Sequence, residues 1–504
     1  MGRELQKVGV VGAGAMGRGI AQVCATAGCS VRLFDTNEES VKRALEAVRV
    51  DLAQSVAKGR LDQEVADAVF ARIQPAQEMR QMSDCELVVE AIIEQLEPKQ
   101  GLFRDLETIV SAKCILATNT SSLSVTAIAA SCQVPSRVVG WHFFNPVTRM
   151  KVVEVIQAPR TSSDAAQALV DLSTRIGHRP VLTSDSPGFV VNHAGRAFVT
   201  EGLKMLAEGV AEHQVLDAIL RTCAGFRMGP FELLDLTGLD VSVPVMESIH
   251  TQYYGDDRYR PVTLARTRMM AGLLGRKSGH GFYSYAEGSS QLAPEQAPAT
   301  TATSATLWWR IEGAHPLPNS VATLLPAGCR LEDPAQADAI LLAPSGRDLS
   351  AAVTAFGLDA TKAVAVDPIF CSPSGVTLMT CPATSAKAID AARSVFAAQG
   401  IQTFVIADSP GYVAPRVVAC IVNLACEMAQ QGIASPADID AAVRLGLGYP
   451  AGPFEWGDKL GAARILSILE GLYTTFGDQR YRPSPWLVRR ARLSLPLSAP
   501  DRSA

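Results

Sequence analysis

At 504 residues the chain is too long for a single core and predicts three or four domains of roughly 100–200 residues each. Hydrophobic residues make up 48% and charged residues 19%, a globular composition, and a net charge of −4 without any basic block gives nucleic acid or a membrane surface no electrostatic hold. No apolar run is long enough to span a bilayer and glycines interrupt the apolar residues after Val8, so neither an anchor nor a secretory leader is expected. The eleven cysteines show no CxxC pair and no metal-like spacing with histidine, so no metal site is expected and they read as reduced thiols of a cytoplasmic protein.

Val8 to Gly17 predicts a strand running into a glycine loop, Gly12-x-Gly14-x-x-Gly17, with a helix over Ile20 to Ala27. A second strand, Ser30 to Phe34, ends on Asp35. Glycine is needed where the backbone turns tightly and approaches a pyrophosphate, whose charge rests on the helix N-terminus. An acid at the Asp35 position hydrogen-bonds an adenosine ribose diol and repels a 2′-phosphate, which favours NAD over NADP. The competing reading is a similar fold with no phosphate ligand.

Residues 37 to 57 read as a helix ending at Lys58-Gly59-Arg60. Leu87 to Glu94 is a near-continuous apolar run, as expected of a parallel strand buried on both faces, and Lys99 opens the next helix. Ile115 to Ser122 is another strand ending in polar residues, Asn119 and Ser121 among them. Strands that end in polar residues fit a doubly wound sheet, where ligands gather at the carboxyl ends, although simple capping of the next helix competes as an explanation.

Two β-branched runs, Val138-Val139 and Val152-Val153, bracket a loop with Asn145-Pro146. Strand alternation puts Glu154 on the face of Val152 and Ile156, where a carboxylate needs a partner. His142, at the end of the first run, is that partner if the strands pair. An imidazole held by a carboxylate is a general base, and a buried structural histidine is the plainer alternative.

Beyond Ile156 helical periodicity takes over, from Asp185-Ser-Pro-Gly-Phe-Val-Val-Asn192 to about Met270, and Lys277-Ser-Gly-His-Gly-Phe-Tyr283 closes a separate all-α domain. Residues 287–305 are rich in Ala, Pro, Ser and Thr and read as a linker. The chain then repeats itself. Asp408-Ser-Pro-Gly-Tyr412 lies 223 residues after Asp185-Ser-Pro-Gly-Phe189, and Gly452-Pro-Phe-Glu455 lies 223 after Gly229-Pro-Phe-Glu232. The expected organisation is therefore an α/β domain over 1–184, a helical domain over 185–286, the linker, a degenerate α/β segment over 306–405 and a second helical copy over 406–504. At that offset His142 becomes Ala365 and Glu154 becomes Thr377, and the second copy lacks the Lys-x-Gly-x-Gly-Phe-Tyr closure. It is expected to pack and not to react.

Together, Gly12-x-Gly14-x-Met16-Gly17, Asn119-Thr-Ser-Ser122, His142-Phe-Phe-Asn-Pro146, Asp185 to Asn192, Gly229-Pro-Phe-Glu-Leu233 and Lys277 to Tyr283 resemble the L-3-hydroxyacyl-CoA dehydrogenase family, in its long bacterial form with a duplicated C-terminal domain. The resemblance covers residues 5 to 285 closely and returns from 406 to 485. It implies a Rossmann-type NAD-binding domain followed by a helical domain, then a degenerate α/β segment and a second helical copy, with NAD as cofactor and an acyl-CoA substrate of phenylacetate or fatty-acid breakdown. It implies His142 as base, Glu154 as its orienting partner, and Ser121 and Asn192 on the substrate's oxygen functions, in a site completed by closure of the helical domain. It places Gly12, Gly14, Met16, Gly17, Asp35, Glu94, Lys99, Asn145 and Lys277 at the NAD site and Lys58 near the coenzyme A phosphates. A β-hydroxyacid dehydrogenase acting on a free acid and a non-catalytic binding protein on the same fold are the competing functions. The first usually relies on a lysine, and the second would have lost His142, Glu154, Ser121 or Asn192. The second helical copy is expected to pack on the first as an intramolecular pseudo-dimer, with further association of whole chains left open.

Overall fold

The computed structural model describes residues 4–285, 305–310 and 317–501. The predicted linker at 287–305 falls outside them except for Ala305. The chain forms two compact units, one of Met1–His193 with Gln431–Leu447 and the other of Ala194–Gln430 with Gly448–Ala504. No described helix is long and apolar enough to cross a membrane, and all eleven cysteines are free thiols.

The first unit is built on eight strands: β1 (Lys7–Val11), β2 (Ser30–Phe34), β3 (Ile73–Pro75), β4 (Leu87–Glu90), β5 (Ile115–Thr118), β6 (Val138–Phe143), β7 (Val152–Gln157) and β8 (Arg179–Ser184). Their order is β3-β2-β1-β4-β5-β6-β7-β8. All neighbours are parallel except β6 and β7. Every residue of β4, β5 and β6 is buried, as their apolar runs require of strands covered on both faces. Alternate residues feed two cores, Val10, Val89 and Ala117 in one and Val11, Val88 and Leu116 in the other. β4 stops at Glu90, four residues short of the predicted end. There the Glu90 carboxylate accepts from the Ile92 amide at 2.7 Å and turns the chain out of the sheet.

In the second unit the first helical copy contains the helices Arg196–Ala207, His213–Thr222, Pro230–Thr237, Leu239–Gln252 and Thr263–Met270. It is followed by β9 (Leu307–Trp308), β10 (Ala339–Leu342), β11 (Ala363–Val366), β12 (Gly375–Met379) and β13 (Gln402–Ile406), in the order β13-β12-β11-β10-β9. Only the β11–β12 pair is antiparallel. This is the β4-to-β8 half of the first sheet, strand for strand and direction for direction. Among the described residues nothing corresponds to β1 to β3, the part that carries the glycine loop. The structure also corrects the expected equivalence of His142 and Ala365. Ala365 pairs with Met379 and Val366 with Leu378, and the next backbone bond runs from the Asp367 amide to the Thr377 carbonyl at 3.0 Å. The residue opposite Thr377 is thus Asp367, because the loop between these strands is two residues shorter than its counterpart.

The repeated motifs do structural work. Asp185 accepts from the Thr126 amide at 2.7 Å and the Ser124 hydroxyl at 2.8 Å, tying down the start of helix Val125–Ala129. Asp408 does the same for helix Leu349–Phe356 through the Leu349 and Ser350 amides at 2.6 and 3.0 Å. Asp235 holds the closing loop by the Phe282 and Tyr283 amides, both at 2.9 Å. The second copy is not left open, as its missing motif suggested: Asp458 accepts from the Leu497 amide and the Ser498 hydroxyl, both at 2.5 Å.

Within the second unit the two helical copies are bonded to each other. Arg416, fully buried, reaches Glu201 at 3.1 Å, Glu208 at 2.8 Å and the Tyr481 hydroxyl at 2.6 Å. Two reciprocal ion pairs join them, Arg260–Asp478 at 2.9 Å and Arg482–Asp256 at 2.7 Å. Residues 431–447 of the second copy depart from the expected block 406–504 and belong to the first unit. There the Ser184 amide donates to the Ile433 carbonyl at 2.9 Å and Arg179 pairs with Asp438 at 2.8 Å.

Candidate active site

β6 and β7 run antiparallel in a register that sets His142 directly across from Glu154. Both side chains are withdrawn from solvent, His142 at 4% and Glu154 at 0% exposure. Nδ1 of His142 lies 2.6 Å from Glu154 Oε2. A carboxylate accepts and does not donate, so Nδ1 carries the proton and Nε2 is left as the basic nitrogen. The other oxygen of Glu154 accepts from the backbone amides of Val190 and Val191 at 2.9 and 2.8 Å. The turn that supplies those amides is strained. Gly188 and Phe189 both have positive φ, 79° and 48°, and for phenylalanine that is a sparsely populated conformation. Phe144 and Phe189 flank the imidazole at ring-centroid distances of 4.5 and 5.9 Å and keep water away from it.

Asn192, expected on the helical domain, follows Val191 on the short helix Val191–Ala194 and belongs to the first unit. Ser121 is on the loop after β5, and that loop is tied to β6 because the Phe143 amide donates to Asn119 Oδ1 at 2.9 Å. Asn145 is exposed just beyond β6. His142, Glu154, Ser121, Asn145 and Asn192 are therefore all carried by one compact unit.

The glycine loop fits a dinucleotide. A Cβ on Gly17 would stand 1.8 Å from the Gly12 carbonyl oxygen, and one on Gly12 would meet the Ala91 carbonyl at 2.4 Å, so helix and strands close on these two positions. Gly14, in contrast, has no atom within 4 Å of where its Cβ would be. It stands at the N-terminus of helix Ala15–Thr26 with open ground before it, which is the space a pyrophosphate needs. Met16, partly buried, packs on the core beneath. Asp35 braces the loop, accepting from the Ala13 amide at 2.8 Å and the Asn37 amide at 2.9 Å.

Glu94 gathers the Ser121 loop. Its Oε1 accepts from the Thr120 hydroxyl at 2.7 Å and from the Ser121 and Ser122 amides at 2.7 and 3.1 Å. Burial pushes the Glu94 carboxyl up, but the Thr120 hydroxyl, the Lys99 charge and the Ser121 amide together hold it below its ordinary value. Lys99, expected at the NAD site, is reached there through Glu94. At 1% exposure it is clamped between Glu90 at 2.5 Å and Glu94 at 3.3 Å, so it supports Glu94 from beneath. Glu90 and the Val190 and Val191 amides were not foreseen. Glu90 was legible only as an acid inside an apolar strand, and backbone donors leave no signature in side-chain identity. Lys58 ends helix Glu38–Ala57 as an exposed residue and has no acidic partner among the described residues. Lys277, in the second unit, is paired with Asp240.

The model of the 3-hydroxyacyl-CoA dehydrogenase NAD-binding domain matches residues 7–186, and that of the family's C-terminal domain matches twice, at 188–285 and 411–495. The chain is 36% identical over 490 residues to the 3-hydroxyadipyl-CoA dehydrogenase of Escherichia coli, covering 97% of this chain and 98% of that one. It is 41% identical over 279 residues to a probable 3-hydroxybutyryl-CoA dehydrogenase of Deinococcus radiodurans, covering 55% of this chain and all of that one. The crystal structure of an E. coli 3-hydroxybutyryl-CoA dehydrogenase superposes with a TM-score of 0.86 at 34% identity, over 97% of this chain and 99% of the other. The chain belongs to the 3-hydroxyacyl-CoA dehydrogenase family and is an NAD-dependent dehydrogenase.

Proposed function

We propose that the enzyme oxidises an L-3-hydroxyacyl-CoA to the 3-oxoacyl-CoA, with His142 as general base and Glu154 as its orienting partner. The observation that carries this reading is the buried chain of bonds from the Val190 and Val191 amides through Glu154 to His142 Nδ1. It fixes the tautomer and aims Nε2 as the proton acceptor for the 3-hydroxyl. As that proton arrives the ring becomes an imidazolium, and the Glu154 charge beside it stabilises the cation. NAD supplies the hydride acceptor for C3. Ser121 and Asn192 hydrogen-bond the oxygens near the reacting carbon. Gly12, Gly14, Gly17 and Asp35 hold the dinucleotide, with Met16 beneath the loop. Glu94, Lys99, Asn145 and Lys277 would line the NAD pocket, Lys99 through the Glu94 it holds, and Lys58 would meet the coenzyme A phosphates.

A 3-hydroxyadipyl or 3-hydroxybutyryl chain is the proposed acyl group, supported by the names of two relatives that match nearly the whole chain. Either would place the enzyme in breakdown of phenylacetate or of fatty acids. NADH formation measured across 3-hydroxybutyryl-, longer-chain and 3-hydroxyadipyl-CoA decides between them. No turnover of any of these thioesters would overturn the reading. The second helical copy acts as an intramolecular stand-in for a partner subunit, a proposal supported by the Arg416 network and the two reciprocal ion pairs of the second unit. A chain ending at Tyr285 should self-associate or precipitate in light scattering. A stable, soluble monomer at high concentration would count against it.

A further inference from the structure

Residues 431–447 come from the half of the chain that carries no catalytic groups, yet they pack within the unit that does. The segment is held at two points, Ile433 and Asp438, by Ser184 and Arg179 of β8. At its end a Cβ on Gly446 would lie 2.9 and 3.0 Å from the two γ-carbons of Val191 and 3.6 Å from Val152 Cγ1. Only glycine allows that approach. Val191 is the residue whose amide binds Glu154, and Val152 is two residues before Glu154 on β7. The backbone of Gly446 is thus the wall against which the Glu154-binding turn rests.

The repeat supplies an internal control. In the second unit the Ala407 amide donates to the Val210 carbonyl at 2.8 Å, 223 residues from the Ser184–Ile433 bond at both ends. Cys223 and Gly375 are the counterparts of Gly446 and Val152, and Cys223 Sγ lies 3.5 Å from where a Cβ on Gly375 would be. The same contact is made in both units with the sizes exchanged: glycine over valine behind the His142–Glu154 pair, cysteine over glycine behind Asp367–Thr377.

We propose that Gly446, with the segment 431–447 around it, is a positioning element for the reaction: the second half of the chain fixes Val191 and, through its amide, Glu154 and His142. This rests on reading His142 and Glu154 as the reacting pair. In the full-length protein, Gly446→Val should lower kcat for 3-hydroxybutyryl-CoA oxidation about tenfold or more while leaving the KM for NAD within about twofold, since displacement near 1 Å is costly at a reacting centre. Adding Val191→Ala, which returns the room the valine takes, should recover most of the loss. Gly375→Val, the matching lesion in the second unit, should lower the melting temperature yet leave kcat within about twofold of the parent. Gly446→Ala should show the same order at smaller amplitude if the valine variant is not obtained folded. A folded Gly446 variant with unchanged kcat, no recovery from Val191→Ala, or an equal loss of kcat in Gly375→Val would each overturn the proposal. Those outcomes are separable from failure of the base assignment, which would show as normal turnover by His142→Gln whatever Gly446 does.

Discussion

The β6–β7 pair and the β11–β12 pair are the same piece of architecture put to different ends. Both are antiparallel pairs inside otherwise parallel sheets. Both are followed by an Asp-Ser-Pro-Gly turn with the aromatic residue at positive φ, 48° for Phe189 and 54° for Tyr412. In the first pair the turn's amides close on Glu154, and Glu154 on His142. In the second, the facing residues are Asp367 and Thr377, and the turn's aromatic hydroxyl, Tyr412, donates instead to the Val366 carbonyl at 2.9 Å. Strain of this kind costs on the order of 1–3 kcal/mol and persists where the surroundings enforce it. Its survival without a carboxylate to bind shows that the turn serves the fold. The His142–Glu154 pair, proposed above as the reacting pair, is the feature by which the two strand pairs differ.

Changes that separate these two strand pairs should therefore separate activity from stability. The largest effect is expected from His142→Gln, which removes the basic nitrogen. kcat should fall by roughly 10²–10⁴ or more while NADH binding, read by fluorescence titration, stays near that of the parent. Near-normal turnover would remove His142 from the mechanism. Glu154→Gln comes next. The amide keeps the shape but no longer requires Nδ1–H nor stabilises the imidazolium, so kcat should drop on the order of 10²-fold. A loss confined to KM would mean that Glu154 acts on substrate binding alone.

Much of this comparison was legible in the sequence. Strand alternation placed Glu154 inward and required a partner, and the constant offset of Asp185 and Asp408 revealed the duplication. The glycine spacing placed the tight turn between β1 and helix Ala15–Thr26. Three features were hidden for physical reasons. The facing residue in the second pair was misplaced at Ala365 because a fixed offset cannot see a loop two residues shorter, whereas cross-strand register can. The departure of residues 431–447 from their own repeat is a matter of tertiary pairing, and glycine at 446 gives no local sign of what it approaches. Arg416 stands where the first copy has His193, so comparison of the repeats gave no hint of a buried ion network with Glu201, Glu208 and Tyr481. For Lys99 the sequence gives the distance from Glu94 but not the depth at which it is buried.

Stability should respond at the second pair. Asp367 is fully buried, with Oδ1 bonded to the Ile369 and Phe370 amides at 2.8 and 3.2 Å and Oδ2 without a partner among the described residues. Burial pushes its carboxyl up to about 6 from an ordinary 3.8. Between those values the folded protein holds a proton that the unfolded chain has released. Its contribution is full below about pH 4 and is lost as the pH rises through about 6. Asp367→Asn cannot ionise, so at pH 7.5 it should be the more stable protein by up to about 3 kcal/mol, with the difference vanishing near pH 4 and kcat unchanged. Identical pH dependence of the two melting curves would mean that folding leaves the pKa of this carboxyl unchanged.

The smallest expected effect is at Thr377, and it discriminates most finely. Its hydroxyl is buried and met by the thiol of Cys223, a weak partner, while Asp367 Oδ2 has no partner among the described residues. Replacing a hydroxyl with only a weak thiol partner by an isosteric methyl should stabilise the fold by about 0.5 kcal/mol, so Thr377→Val alone should raise the melting temperature slightly. In the Asp367→Asn background the side-chain amide faces Thr377 across the strand pair and can donate to its oxygen. There the valine would remove an acceptor that has just gained a donor, and its sign should reverse. A double-mutant cycle in urea measures this coupling. Simple additivity would mean that the two side chains do not meet. Non-additivity of the expected sign would show that a polar contact can be rebuilt at the position of the His142–Glu154 pair, with no gain or loss of dehydrogenase activity in the first unit.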